Sequence, residues 1–183
     1  TLTATDDTGN TDSCFFYVFV TDETDPTITC PEDKTVSADS NCEFKLPDYT
    51  GEATVDDNCD DDVEVTQSPA PGTVIGLGPQ TVTLTAEDDA GNTASCSFTV
   101  TVVDDTDPNI SCPTAVAPLS ADDNCEALLP DYCPNASAYD NCDQDLDCEQ
   151  SPAAGTAVGL GDTTVTLTVT DDAGNSDSCS FTV

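Results

Sequence analysis

Alternation of apolar and polar positions with a period of two is clearest between residues 81 and 102. Val82, Leu84 and Ala86 fall on one face, an Asp-Asp-Ala-Gly-Asn stretch (88–92) interrupts, and Cys96, Phe98, Val100 and Val102 return to that face. Threonine and serine occupy the opposite face, as a strand pair with one wet side requires. The pattern predicts a β-hairpin. Other short runs rich in valine and threonine, divided by proline, glycine and aspartate turns, fill the rest of the chain with almost no helical spacing. That is the signature of an all-β, antiparallel sandwich.

The hairpin recurs. Shifted by 82 or 83 residues, Asp22–Val100 aligns with Asp104–Val183, and 16 of 20 positions agree between residues 81–100 and 164–183. Such self-similarity makes the chain a tandem array. Residues 1–20 match 83–102, so 1–21 is expected to be the closing hairpin of a truncated module, followed by complete modules at 22–103 and 104–183. The chain is thus expected to be a piece of something longer. About 80 residues per module bury only a modest core, so covalent staples gain importance.

Charge and composition narrow the function. The chain has 37 acids, two bases (Lys34 and Lys45), no histidine, no tryptophan and a formal charge of −35. It offers no near-neutral proton shuttle, no basic stripe for a nucleic acid and no apolar run long enough to insert in a membrane. An enzyme is not expected. Eleven cysteines without a Cys-x-x-Cys pair fit disulfides better than zinc, and disulfides indicate an extracellular setting. Four cysteines in the first module allow three connectivities, and six in the second allow fifteen.

Several motifs stand in a fixed order: Thr-Asp-Pro-x-Ile-x-Cys-Pro (24–31), Asp-Asn-Cys (57–59), Pro-Gly-Thr-x-x-Gly-x-Gly (71–78), Asp-Ala-Gly-Asn (89–92) and Cys-x-Phe-x-Val-x-Val (96–102). Together they resemble the HYR (hyalin repeat) domain over essentially the whole chain. The resemblance implies tandem immunoglobulin-like, disulfide-stapled modules of an extracellular protein associated with adhesion. The acidity and additional cysteines resemble the variants found in giant surface proteins of gliding bacteria, including flavobacterial gliding adhesins. The resemblance also implies Cys30–Cys96 and Cys112–Cys179 bridges. Once these are granted, Cys42 is left with Cys59, Cys125 with Cys142 and Cys133 with Cys148, while Cys14 has its partner outside the chain.

Acids recur at equivalent places, pairing Asp22 with Asp104, Glu23 with Asp105, Asp25 with Asp107, Asp57 with Asp140, Asp60 with Asp143, and Asp88-Asp89 with Asp171-Asp172. In an immunoglobulin-like sandwich the incoming linker shares a pole with the B–C and F–G loops, which brings these segments together. The turn at Asp39, or at Asp122-Asp123, lies at the opposite pole and faces the next module. Calcium, which takes six to eight oxygens in flexible geometry, suits such a junction better than magnesium. Asp22, Asp25, Asp57, Asp88, Asp89, Asp104, Asp105, Asp107, Asp140, Asp171 and Asp172 are the candidate ligands; a solvated acidic surface is the competing explanation. The expected role is a stalk or filament module of a long cell-surface adhesin, with neighbouring repeats, surface or matrix ligands and lateral self-association as partners, and gliding motility as one setting. A carbohydrate- or protein-binding accessory module of a secreted enzyme is the alternative. Phe15, Tyr17 and Phe19 replace the outward Ser and Thr of the later hairpins, marking either a contact patch or a strand covered by the rest of its own module.

Overall fold

A computed structural model describes residues 1–183. All regular structure is β apart from two single 3-10 turns, Thr50–Glu52 and Cys133–Asn135. The opening hairpin pairs β1 (Leu2–Thr5) with β2 (Thr11–Cys14). Beyond Cys14 the expected strand does not continue. Residues 15–20 pair with no other strand, and Phe15, Tyr17 and Phe19 are 72–85% exposed. A strand needs a hydrogen-bonding neighbour to persist, and here none is present.

The first module contains β3 (Thr27–Thr29), β4 (Lys34–Ser37), β5 (Phe44–Lys45), β6 (Thr54–Asp56), β7 (Glu64–Ser68), β8 (Val74–Ile75), β9 (Gly78–Glu87) and β10 (Thr93–Val103). One sheet has the order β4-β10-β9-β7, with β4 parallel to β10 and the other pairs antiparallel. Two short ribbons, β3-β6 and β5-β8, complete the strand set. The second module has β11 (Asn109–Ser111), β12 (Glu126–Leu128), β13 (Ser137–Tyr139), β14 (Asp147–Ser151), β15 (Ala157–Gly159), β16 (Thr164–Thr170) and β17 (Ser176–Thr182). Its β14-β16-β17 sheet and the β11-β13 and β12-β15 ribbons repeat that plan without a counterpart of the parallel edge strand β4, since residues 112–125 form no strand. Each module is an immunoglobulin-like β-sandwich.

The period-two pattern explains both cores. Val82, Leu84, Phe98, Val100 and Val102 pack with Leu46, Tyr49 and Ile75 in the first module. Val165, Leu167 and Val169 pack with Ile110, Leu129 and Tyr132 in the second. Tyr49 meets Phe98 edge-on at 5.2 Å between ring centroids, and Tyr132 meets Phe181 at 5.0 Å. This geometry suits the ring quadrupoles and adds roughly 0.5–1.5 kcal/mol to simple burial. Gln67 locks one wall by accepting from the Tyr49 amide at 2.8 Å and donating to the carbonyls of Pro47 and Pro69; Gln150 repeats this around Tyr132. Lys34 forms a 2.7 Å ion pair with Glu52 and lies over the Tyr49 ring.

Covalent ties run both within and between modules. Cys30–Cys96 and Cys112–Cys179 join the first strand region of each sandwich to its last strand, and Cys133–Cys148 fastens a 3-10 turn to β14. The fourth bridge corrects the sequence expectation: Cys42 is bonded to Cys142, leaving Cys59, Cys125 and Cys14 as thiols. Neither Cys42–Cys59 nor Cys125–Cys142 forms. The turn carrying Cys42 lies beside the C-terminal end of β10, where the Ala38 amide donates to Val103 O at 2.8 Å. The loop carrying Cys59 lies at the other end of that strand, where the Asp89 amide donates to Asp60 Oδ2 at 3.0 Å. Along β10, Thr93 to Val103 spans roughly 33 Å at the strand rise. A disulfide needs Cα atoms within about 7 Å.

Candidate functional site at the module junction

The junction begins with the backbone. β10 runs without a break to Val103, and only residues 104–108 separate it from β11. This short linker is held along its length. Ser37 Oγ donates to Asp105 Oδ2 at 2.6 Å, Asn175 Nδ2 donates to Asp104 O at 3.3 Å, and Pro108 is fully buried. On the first module's side, the turn at residues 39–42 closes through the Cys42 amide to Asp39 O at 2.9 Å and through Asp39 Oδ1, which accepts from the Asn41 and Glu43 amides. Its Asp39 carbonyl accepts from Asn141 Nδ2 of the second module at 3.2 Å, next to the Cys42–Cys142 bridge. The prediction that this turn faces the following module therefore matches the geometry.

On the second module's side, Asp140 has two tasks. Its Oδ1 accepts from the Cys142 and Asp143 amides at 2.8 and 3.0 Å, shaping the loop that presents Cys142. Its Oδ2 is buried and has no hydrogen-bond partner. A buried carboxylate oxygen without a partner is costly. Asp140 lies with Asp104 and Asp171, and one carboxylate oxygen from each falls within 4.8 Å of the others. Asp22, Asp57 and Asp88 form the same trio at the start of the first module, where Asp57 Oδ2 is likewise buried and unpartnered.

The members of each trio differ in their surroundings. Desolvation, followed by the charges of Asp140, Asp171 and Asp105, pushes the Asp104 carboxyl up, although a hydrogen bond from the Thr106 amide opposes the shift. Asp171 is 7% exposed. Burial opposes its ionisation, but the Asn175 side chain and the amides of Asn175, Gly174 and Ala173 together hold it below the ordinary carboxylate range. These donors make an Asx turn, Asn175 N to Asp171 Oδ1 at 2.7 Å and Asn175 Nδ2 to Oδ2 at 2.8 Å, which requires Gly174 at φ 94°. Asp88 with Asn92 and Gly91 at φ 89° repeats it. At the first trio, partial desolvation and the nearby Asp22 charge push the Cys59 thiol up.

Of the eleven candidate ligands, six are gathered into the trios: Asp22, Asp57, Asp88, Asp104, Asp140 and Asp171. Asp25, Asp89, Asp105, Asp107 and Asp172 are outside them. In an extended linker successive side chains point to opposite sides, so Asp104 turns inward while Asp105 turns toward Ser37 and Asp107 stays exposed. Asp89 and Asp172 contribute amides instead, donating to Asp60 Oδ2 and Asp143 Oδ2 at 3.0 and 2.9 Å. Asp60, Asp143, Asn92 and Asn175 were missed as site residues. Their signal was present in their recurrence beside the Asp-Asn-Cys and Asp-Ala-Gly-Asn motifs.

Comparison with known proteins fits this architecture. The chain is 30% identical over 97% of its length to hyalin of Strongylocentrotus purpuratus, of which it covers 15%, and 30% identical over its whole length to hyalin of Lytechinus variegatus, of which it covers 35%. It also matches the rat sushi, von Willebrand factor type A, EGF and pentraxin domain-containing protein 1, with 29% identity over 84% of the chain and 4% of that protein. The chain therefore spans well under half the length of these relatives. None of the three is bacterial, so they lend no support to the gliding-adhesin variant. Among solved structures, the extracellular cadherin domains 1–4 of protocadherin gamma B7 overlap with a TM-score of 0.37 at 16% identity, covering 88% of this chain and 49% of that one. An overlap at that score carries no argument. A model of the HYR domain matches residues 21–102 and again 103–183, and the chain accordingly belongs to the HYR domain family as a tandem pair.

Proposed function

We propose that this chain is a non-catalytic structural segment of a long extracellular adhesive protein, with junctions stiffened by a disulfide and by calcium. The observation that carries the proposal is the double use of one loop. Residues 140–142 present both the cysteine that bonds the preceding module and, in Asp140, a carboxylate that is grouped with Asp104 and Asp171 and has one buried oxygen without a partner. A flexible connector has no use for either device. Four disulfides support an extracellular setting, as does membership of an adhesion-associated family. No helix is long and apolar enough to cross a membrane. Descent from gliding adhesins is the finer form of this reading and rests on acidity and cysteine content alone.

The donor set fits calcium. Each trio supplies carboxylate oxygens from three separate segments, linker, Asp-Asn-Cys loop and hairpin turn, and calcium accepts such mixed sets while filling its shell with carbonyls or water. Two charges 4.8 Å apart repel by roughly 3.5 kcal/mol at an effective dielectric of about 20. A divalent cation reverses the sign of that interaction and ties the linker to both loops. Small-angle scattering of the oxidised chain with calcium and then with chelator tests the proposal. We expect one stiff, extended profile with calcium and a broader distribution of lengths after chelation. Identical profiles, together with no calcium heat in low-salt calorimetry, would reduce the trios to solvated surface.

A further inference from the structure

The repeat leaves two thiols whose sister residues are bonded to each other. Cys125 occupies in the second module the place of Cys42 in the first, within Asp-x-Asn-Cys at 39–42 and 122–125. Cys59 likewise corresponds to Cys142, within Asp-Asn-Cys. Cys42 and Cys142 form the junction bridge, whereas Cys59 and Cys125 are exposed thiols.

Both thiols already stand in the local geometry of their bonded sisters. Cys125 adopts φ 61°, the same left-handed value as Cys42, an uncommon conformation for a residue with a Cβ. Its amide donates to Asp122 O at 3.0 Å, and Asp122 Oδ1 accepts from the Asn124 and Glu126 amides, as Asp39 does in the first turn. On the other side, the Cys59 and Asp60 amides donate to Asp57 Oδ1 at 2.9 and 3.0 Å, matching the loop at Asp140. Cover is what differs. Asn141 and Cys142 are half-buried at the occupied junction, whereas Asn58 and Cys59 are exposed beside an open hollow lined by Asp22, Asp60 and Asp88.

We propose that Cys125 and Cys59 are the two halves of further junction bridges. Cys125 bonds the Asp-Asn-Cys cysteine of an adjoining HYR module that follows it, and Cys59 bonds the Asp-x-Asn-Cys cysteine of one that precedes it. The inference rests on the stapled-junction reading and extends it from one junction to an array with one inter-module disulfide per junction. Formation proceeds by exchange with a small disulfide oxidant such as oxidised glutathione. The first cysteine thiolate attacks the oxidant, forming a mixed disulfide and releasing one glutathione thiolate. The partner thiolate then displaces the second glutathione, so two protein thiols are oxidised, one glutathione disulfide is reduced to two thiols, and the protons are exchanged with solvent. An array so linked stays covalently joined even when a linker is cut.

The test is the full chain lengthened after Val183, the counterpart of Val100, by a second copy of residues 101–183, so that the end of the last strand and the linker are both reproduced; it is oxidised in glutathione buffer, digested without reduction and mapped by mass spectrometry. We expect Cys125 joined to the appended copy of Cys142, with three thiols remaining, as in the original chain. Those are Cys14, Cys59 and the appended copy of Cys125. Replacing Cys125 by serine should free the appended Cys142 alone. Finding Cys42–Cys142 intact but Cys125 alkylatable, bonded to Cys59 or bonded between separate chains would overturn this inference while sparing the stapled junction. Loss of Cys42–Cys142 as well would remove the premise.

Discussion

Removing the junction bridge by Cys42→Ser with Cys142→Ser should loosen the second module far more than the first. While the first module stays folded, Cys42 and Val103 are fixed, so the free loop closed by the bridge is residues 104–142 rather than the full sequence separation of 100. For about 39 residues the chain-entropy estimate is roughly 13 cal/mol/K, or about 4 kcal/mol at 25 °C. Removal of a native bridge typically costs about 2–5 kcal/mol, so about 2 kcal/mol is the low end of the expectation. At roughly 4–8 °C per kcal/mol for a domain of this size, the second module should melt at least about 8 °C lower. The first module has only the folded neighbour to lose and should move little. Scanning calorimetry of the oxidised chain and the double serine variant reads both transitions. Coincident melting of the second module in the two proteins, with the Cys112–Cys179 bridge verified in each, would refute the reasoning.

Further outcomes follow from single residues. Asp140→Asn keeps an oxygen for the Cys142 and Asp143 amides but removes a charge from the second trio, so calorimetry should find one calcium per chain instead of two, whereas Asp172→Asn should leave both. Leu167→Ala deletes a fully buried side chain of the second core and should cost about 2–5 kcal/mol in that module alone, read from denaturant unfolding. Asp6 is held at about 2 by the Asn10 side chain, then Thr8 and the Asn10 amide. Because this folded value lies below the ordinary aspartate value of about 3.9, the turn's contribution is complete above that value and vanishes as pH falls through about 2. Carboxyl NMR shifts should show that midpoint, and Asn10→Ala should raise it.

Period-two alternation specified the sandwich because each apolar residue from Val82 to Val102 has one face to choose and the repeat presents the choice twice. The opening hairpin shows where the pattern stops being sufficient: residues 15–20 carry strand-like residues but lack a partner, and backbone pairing is not encoded by one strand alone. For the trios, recurrence located the acids, but only the parity of the linker separates Asp104 from Asp105. The Cys42–Cys142 bridge departs from the sequence expectation for a specific reason. Pairing Cys42 with Cys59 requires bridges to close within a module, whereas the turn at Asp39 lies at the pole facing the next module. Joining that placement to the Asp-Asn-Cys loop at the entry pole would have pointed to Cys142. Position along the array outweighed sequence proximity.

The stapled junction is tested most directly by mapping the bridges of the oxidised chain itself. Non-reducing digestion with free thiols blocked at low pH, followed by mass spectrometry, should recover a peptide containing Cys42 linked to one containing Cys142, with Cys59 and Cys125 both carrying the blocking group. Recovery of Cys42–Cys59 together with Cys125–Cys142 would contradict it, and the linker would then be the sole covalent connection between the two modules.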